Sequence, residues 1–108
     1  MAQGVHLKIF VTEHERHDGE LLYEWILERA KKLGIPGGSA FRAIAGFGRH
    51  GVLHEEGFFE LAGNLPVQLE FIVSAAQADQ LLAMIKEAGL NLVYARMPVE
   101  FGLTRGKG

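Results

Sequence analysis

The sequence predicts an α+β domain in which four strands and two helices follow the order β-α-β-β-α-β. Three observations carry that expectation. Val5, Leu7, Ile9 and Val11 alternate with His6, Lys8, Phe10 and Thr12, the two-residue period of a half-buried strand. Two stretches of helical periodicity, around Leu21 to Leu33 and Ala75 to Gly89, each run into a glycine. Strand-like runs fill the remaining places. Two right-handed split β-α-β units then give a ferredoxin-like sandwich, a four-stranded antiparallel sheet with both helices on one face.

The elements follow in order. Val5 to Thr12 (VHLKIFVT) is the first strand, and the polar segment Glu13 to Gly19 ends it. Asp18 is read as a helix cap, because a carboxylate there can accept from an amide of the first turn. Leu21, Leu22, Trp25, Ile26, Arg29 and Leu33 follow helical spacing, with Lys31 and Lys32 at the negative end of the helix dipole. Gly34 and Pro36 stop that helix, and Gly37 and Gly38 make the turn. Ser39 to Phe47 is the second strand. The glycine-rich, charged stretch from 48 to 65 is long for a connection, so it is expected to be functional and mobile. Pro66 to Val73 (PVQLEFIV) is the third strand. Ser74 caps the second helix, which presents Ala78, Leu81, Leu82, Ile85 and Ala88 on one face. Leu92 to Phe101 is the fourth strand, and Pro98 within it marks an edge or a bulge.

Composition bounds the rest. The chain has 108 residues, expected to form one domain over 1–108, and no cysteine, which removes disulfides and thiolate chemistry and suits a cytoplasmic location. A net charge of −2 offers no basic field for nucleic acid. No apolar run approaches the ~20 residues of a membrane span, and no leader segment is visible at the N-terminus. The hydrophobic fraction of 48% is high for a small domain and implies that part of it lies in a subunit interface. Placing Val93, Ala95, Met97, Val99 and Phe101 toward the helices leaves the open sheet face with Lys8, Glu70, Arg96 and Glu100 among apolar groups. Two readings fit: a solvated face, or a sheet-to-sheet oligomer core with paired charges.

The candidate binding segment is Ile44 to Gly51 (IAGFGRHG). Gly46 and Gly48 let backbone amides approach an anion, with Phe47 between them, and Arg49 offers a charged fork. Arg42 lies on the same strand, on the side shared by Gly46. The plain alternative is a glycine turn carrying a solvated arginine. Phe58 and Phe59 are candidate anchors for a protein partner. His14, His17, His50 and His54 raise a divalent-metal reading, although surface histidines in polar loops are commonly just solvated and no HExxH is present. Glu55, Glu56 and Glu60 lack a cleft that would shift their titration, and no serine-histidine-acid order is present, so no catalytic residues are assigned and a non-enzymatic role is expected. Base stacking on the sheet has only Phe10 to offer on the first strand.

Taken as a whole, Ile44 to Gly51 resembles the stretch that leads into the long mobile loop of PII signalling proteins. The LKIFV strand, the block DGELLYEWILERAKKLGIPGGSAFRAIAGFG, the LPVQLEFIV strand and the MPVEF end resemble the PII-like family catalogued as domain of unknown function 190, over nearly all of residues 5–103. The resemblance implies a ferredoxin-like homotrimer with clefts between subunits. In PII proteins those clefts bind adenine nucleotides, and the long loop contacts partner proteins. The implied site is Arg42, Gly46, Phe47, Gly48 and Arg49, with AMP, ADP or ATP as ligand. There are departures. PII proteins carry a tyrosine near the loop tip where this chain has Phe58 and Phe59, so uridylylation is not expected. Their second nucleotide-contacting loop is reduced here to Gly89 to Asn91, leaving Arg105 and Lys107 as substitute cations or as a simple tail. Two alternatives stay open: a trimeric divalent-metal protein, since the divalent-cation tolerance proteins share this fold, and a structural adaptor with no small ligand.

Overall fold

A computed structural model describes residues 2–47 and 64–106. Its elements are β1 (Ala2–Thr12), β2 (Arg16–His17), β3 (Glu20–Leu21), α1 (Leu22–Lys32), β4 (Ser39–Arg42), β5 (Pro66–Val73), α2 (Ala75–Glu87) and β6 (Val93–Phe101). Strands β4, β5, β1 and β6 form the main antiparallel sheet in that order. This is the ferredoxin-like arrangement with the two terminal strands paired side by side. No helix among the described residues is long and apolar enough to cross a membrane.

The core lies between the sheet and the two helices. Val5, Leu7, Ile9 and Val11 of β1 and Val67, Leu69, Phe71 and Val73 of β5 are buried, as their alternation predicts. They pack against Leu22, Trp25, Ile26 and Ala30 of α1 and Ala78, Leu81 and Ile85 of α2. Both helices end as the glycines predict. The Ile35 amide donates to Ala30 O and the Gly34 amide to Lys31 O, with Gly34 at φ 85°; Leu90 and Gly89 repeat the pattern on α2. Ser74 caps α2 reciprocally: its Oγ accepts from the Gln77 amide while Gln77 Oε1 accepts from the Ser74 amide.

Three expectations are corrected. Asp18 does not cap α1, whose N-cap is Leu21 without a side-chain cap. Asp18 at φ 50° and Gly19 at φ 83° are instead the two central residues of a tight hairpin joining β2 to β3, in which His17 pairs with Glu20. The second strand stops at Arg42 instead of reaching Phe47. The Ala43 amide still donates to Pro66 O, but Pro66 has no N–H to return, so the ladder cannot continue.

The third correction concerns β6. Its register sets Tyr94 opposite Ile9, Arg96 opposite Leu7 and Pro98 opposite Val5. Opposed residues share a face, so Tyr94 and Arg96 lie on the helix side. Arg96 confirms it by donating from Nη1 to Asp79 Oδ1 on α2 at 2.8 Å. Val93, Ala95, Met97, Val99 and Phe101 therefore face away from the helices, the reverse of the expected assignment. Arg96 and Glu100 leave the open face, which becomes the apolar side of β6, joined by Phe10, Ile72 and Phe41.

Candidate functional site

The described part of the candidate binding segment begins where β4 ends. Arg42 sits at that end, paired with Val67. Its Nη1 donates to Glu13 Oε2 at 2.8 Å, with Arg42 62% and Glu13 21% exposed. That hydrogen bond holds the Glu13 carboxyl below the usual carboxylate range, against an opposing effect of partial desolvation. The Glu13 amide also donates to Leu65 O, and the His14 amide to Asn64 Oδ1. The first strand's exit, the end of β4 and the entry to β5 are thus tied together at one end of the sheet.

Past Ala43 the chain bends at Ile44 and Ala45. Strand alternation does not carry through a bend, so Arg42 and Gly46 do not share a side by strand geometry. Gly46 runs close to Pro66: a Cβ on Gly46 would lie 3.3 Å from Pro66 Cγ, tighter than ordinary contact. Phe47 follows, 82% exposed, and Ile44 is almost fully exposed. Gly48 and Arg49, with Phe58 and Phe59, lie outside the described residues, as does most of the expected long loop and the pair His50 and His54. Arg105 is exposed in the C-terminal turn, and Lys107 is also outside the described residues.

The histidines that are described have other surroundings. His17 packs its ring edge on Trp25, centroids 4.5 Å apart, while the Arg29 guanidinium covers the same indole at 5.1 Å. His6 Nε2 lies 3.1 Å from Glu70 Oε1 on the open sheet face. Among the described residues no three His, Asp or Glu side chains converge as metal ligands would. A groove of about 390 Å³ lies between α2 and β6, with Leu82, Leu90, Leu92 and Tyr94 along it and Lys86 at one side. It sits at the sheet edge opposite β4.

Sequence reasoning found Arg42 but missed Glu13 as its partner. The two are far apart in the chain, and only the pairing of both β1 and β4 with β5 brings them together. It also missed the His6–Glu70 contact, which follows from the β1–β5 register.

The fold defines a class. It is similar to that of a protein of Thermus thermophilus described as a PII-like signaling protein, at TM-score 0.59 and 22% identity, covering 90% of this chain and 86% of that one. It is equally similar to CPII of Thiomonas intermedia, a nitrogen regulatory PII-like protein solved with ADP, AMP and bicarbonate, at TM-score 0.59 and 15% identity, covering 94% of this chain and 96% of that one. The fold is PII-like. At the level of sequence, the profile of domain of unknown function 190, described as an uncharacterized ACR, matches residues 4–100. A UPF0166 protein of Aquifex aeolicus is 39% identical over 80 residues, 74% of this chain and 76% of that protein. A second, from Methanocaldococcus jannaschii, is 34% identical over 91 residues, 81% of this chain and 83% of that protein. The chain belongs to the domain of unknown function 190 family.

Proposed function

We propose that this protein is a PII-like regulator, not an enzyme, that assembles as a homotrimer through its open sheet faces, binds an adenine nucleotide in a cleft between subunits and acts on a protein partner through residues 48–65. The observation that supports it most is the outward apolar side of β6. Val93, Met97 and Phe101 are substantially exposed there, with Ile72 of β5 and Phe41 of β4 on the same face. A strand that turns its apolar side away from its own core is fitted to a core made with another copy.

In this reading the backbone of Gly46 to Gly48 and the side chain of Arg49 hold a phosphate, Phe47 lies against the nucleotide, and Arg42 stands by as a second cation already balanced by Glu13. Phe58 and Phe59 anchor the partner. The cytoplasm is the expected compartment. The nucleotides and bicarbonate held by CPII name the ligands to try first.

Titration calorimetry with AMP, ADP, ATP, bicarbonate and divalent metals tests the proposal. A charge-assisted contact is typically worth ~1.5–3 kcal/mol, so Arg49→Ala is expected to weaken nucleotide binding by roughly ten- to a hundredfold. Arg42→Ala is expected to weaken it less. Equal affinity in the wild type and both variants would show that the segment is only a turn.

A further inference from the structure

We infer that the open sheet face carries a pH-sensitive switch: His6, held against Glu70 on a largely apolar surface, permits copies of this chain to close face to face while its ring is neutral and opposes closure once it is protonated. The inference rests on the reading of that face as the contact between copies.

The polar groups of the face form one strip. His6 Nε2 meets Glu70 Oε1 at 3.1 Å, and the Gln68 side-chain amide donates to Glu70 Oε2, so both carboxylate oxygens are engaged within one chain. Lys8 stands directly opposite Glu70 in the β1–β5 register. Around this strip lie Phe10, Ile72, Val93, Ala95, Met97 and Phe101. The His6 and Glu70 side chains are already only 22% and 29% exposed, so a covering face would remove much of their remaining water.

The charges that face His6 can be counted element by element among the described residues. Its own strand contributes Lys8 on that side. Strand β5 contributes Glu70 beside the neutral Gln68 and Ile72. The neighbouring positions of β6 are Ala95, Met97 and Val99, and β4 contributes Ser39 opposite Glu70. With a neutral ring the strip therefore sums to zero, one cation and one acid per copy. Such a face complements itself, because Lys8 of one copy can serve the Glu70 of the next. A proton on His6 leaves the strip with one net positive charge per copy, Lys8 and the imidazolium against the single Glu70 carboxylate. In the separate chain water solvates that charge; between apolar faces it is costly. Closure is thus coupled to proton release. Assembly is strongest while the ring is neutral and weakens as falling pH protonates it.

The test is sedimentation equilibrium of the full chain between about pH 7.5 and about pH 5.5, on the wild type and on His6→Gln, whose amide keeps a donor for Glu70 but gains no charge. The wild-type dissociation constant is expected to rise at least about tenfold over that interval while that of His6→Gln stays flat. A second measurement follows the His6 ring by NMR, where its titration midpoint should lie at lower pH in the assembled wild type than in a variant dissociated by Met97→Asn, which puts no new charge beside the ring. If His6→Gln folds poorly, that comparison decides alone, and a midpoint that does not fall on assembly overturns the switch. A wild type that assembles with no pH dependence, or with a dependence His6→Gln retains, overturns the switch and leaves the interface standing. A wild type that is monomeric throughout overturns both.

Discussion

Gly38 sits where a single added carbon has no room. A Cβ there would fall onto the Phe71 ring, 2.7 Å from Cδ1, and 3.2 Å from Leu27 Cδ2. Phe71 is among the most deeply buried side chains of the core and cannot swing out. Overpacking of this kind typically costs ~1–3 kcal/mol, so Gly38→Ala is expected to lower the urea midpoint by a corresponding amount. Gly37→Ala is the matched control, since nothing lies within 4 Å of its Cβ position, and it is expected to leave stability near wild type. The Glu13–Arg42 pair makes a second prediction at this scale. Its folded carboxyl titrates below the ordinary value near 4.5, chiefly because Arg42 hydrogen-bonds the ionised form. A depressed carboxyl contributes stability that is present above the unfolded value and lost as pH falls through the folded one. Glu13→Gln is therefore expected to be less stable than wild type at pH 6, with the difference vanishing in strong acid. Denaturant melts across the acid range check the sign, and a gap that persisted at the lowest pH would refute it.

At the scale of elements, the capping box of α2 is the sharpest case. Ser74 satisfies the Gln77 amide, and removing such a side chain costs ~1 kcal/mol. Ser74→Ala is expected to lower the thermal midpoint by several degrees, whereas Ser74→Asp should preserve it; circular dichroism melts separate the two. This cap and the two glycine stops were legible in the sequence because each is a local device with its own residue signature. Strands β1 and β5 were legible because one face is packed and the other is not. What failed was less local. Asp18-Gly19 is as good a hairpin turn as Asp18 is a cap, and only the pairing of His17 with Glu20 decides between them. Strand β4 ends early because its partner starts with a proline, a fact written 20 or more residues away. Strand β6 misled most, since alternation reports which side of a strand is apolar but not which side faces its own helices. Of the candidate site, Arg42 ends β4 while Gly46 and Phe47, expected on the same strand, lie past a bend that alternation cannot foresee.

The reversed face of β6 matters for the whole molecule. A monomer that kept this face in water would expose Phe41, Ile72, Val93, Met97 and Phe101 together, while its own core is complete without them. Such a face suits the proposed contact between copies, since a two-layer sandwich that buries only one side of its sheet can bury the other against a copy of itself. Met97 lies on that face opposite His6, 42% exposed, and takes no part in the core. In the proposed assembly a carboxylate there would have to enter the closed interface without a partner, a large penalty that repeats in every copy. Met97→Asp is therefore expected to convert the assembly to a monomer in light scattering at micromolar concentration, with an unchanged far-ultraviolet spectrum, because the chain's own core does not use the residue. Tyr94→Asp, on the helix side of the same strand, is expected to leave the assembled mass unchanged. The opposite pattern, dissociation by the Tyr94 change and none by the Met97 change, would place the contact at the groove between α2 and β6 and remove the open face from any role in assembly.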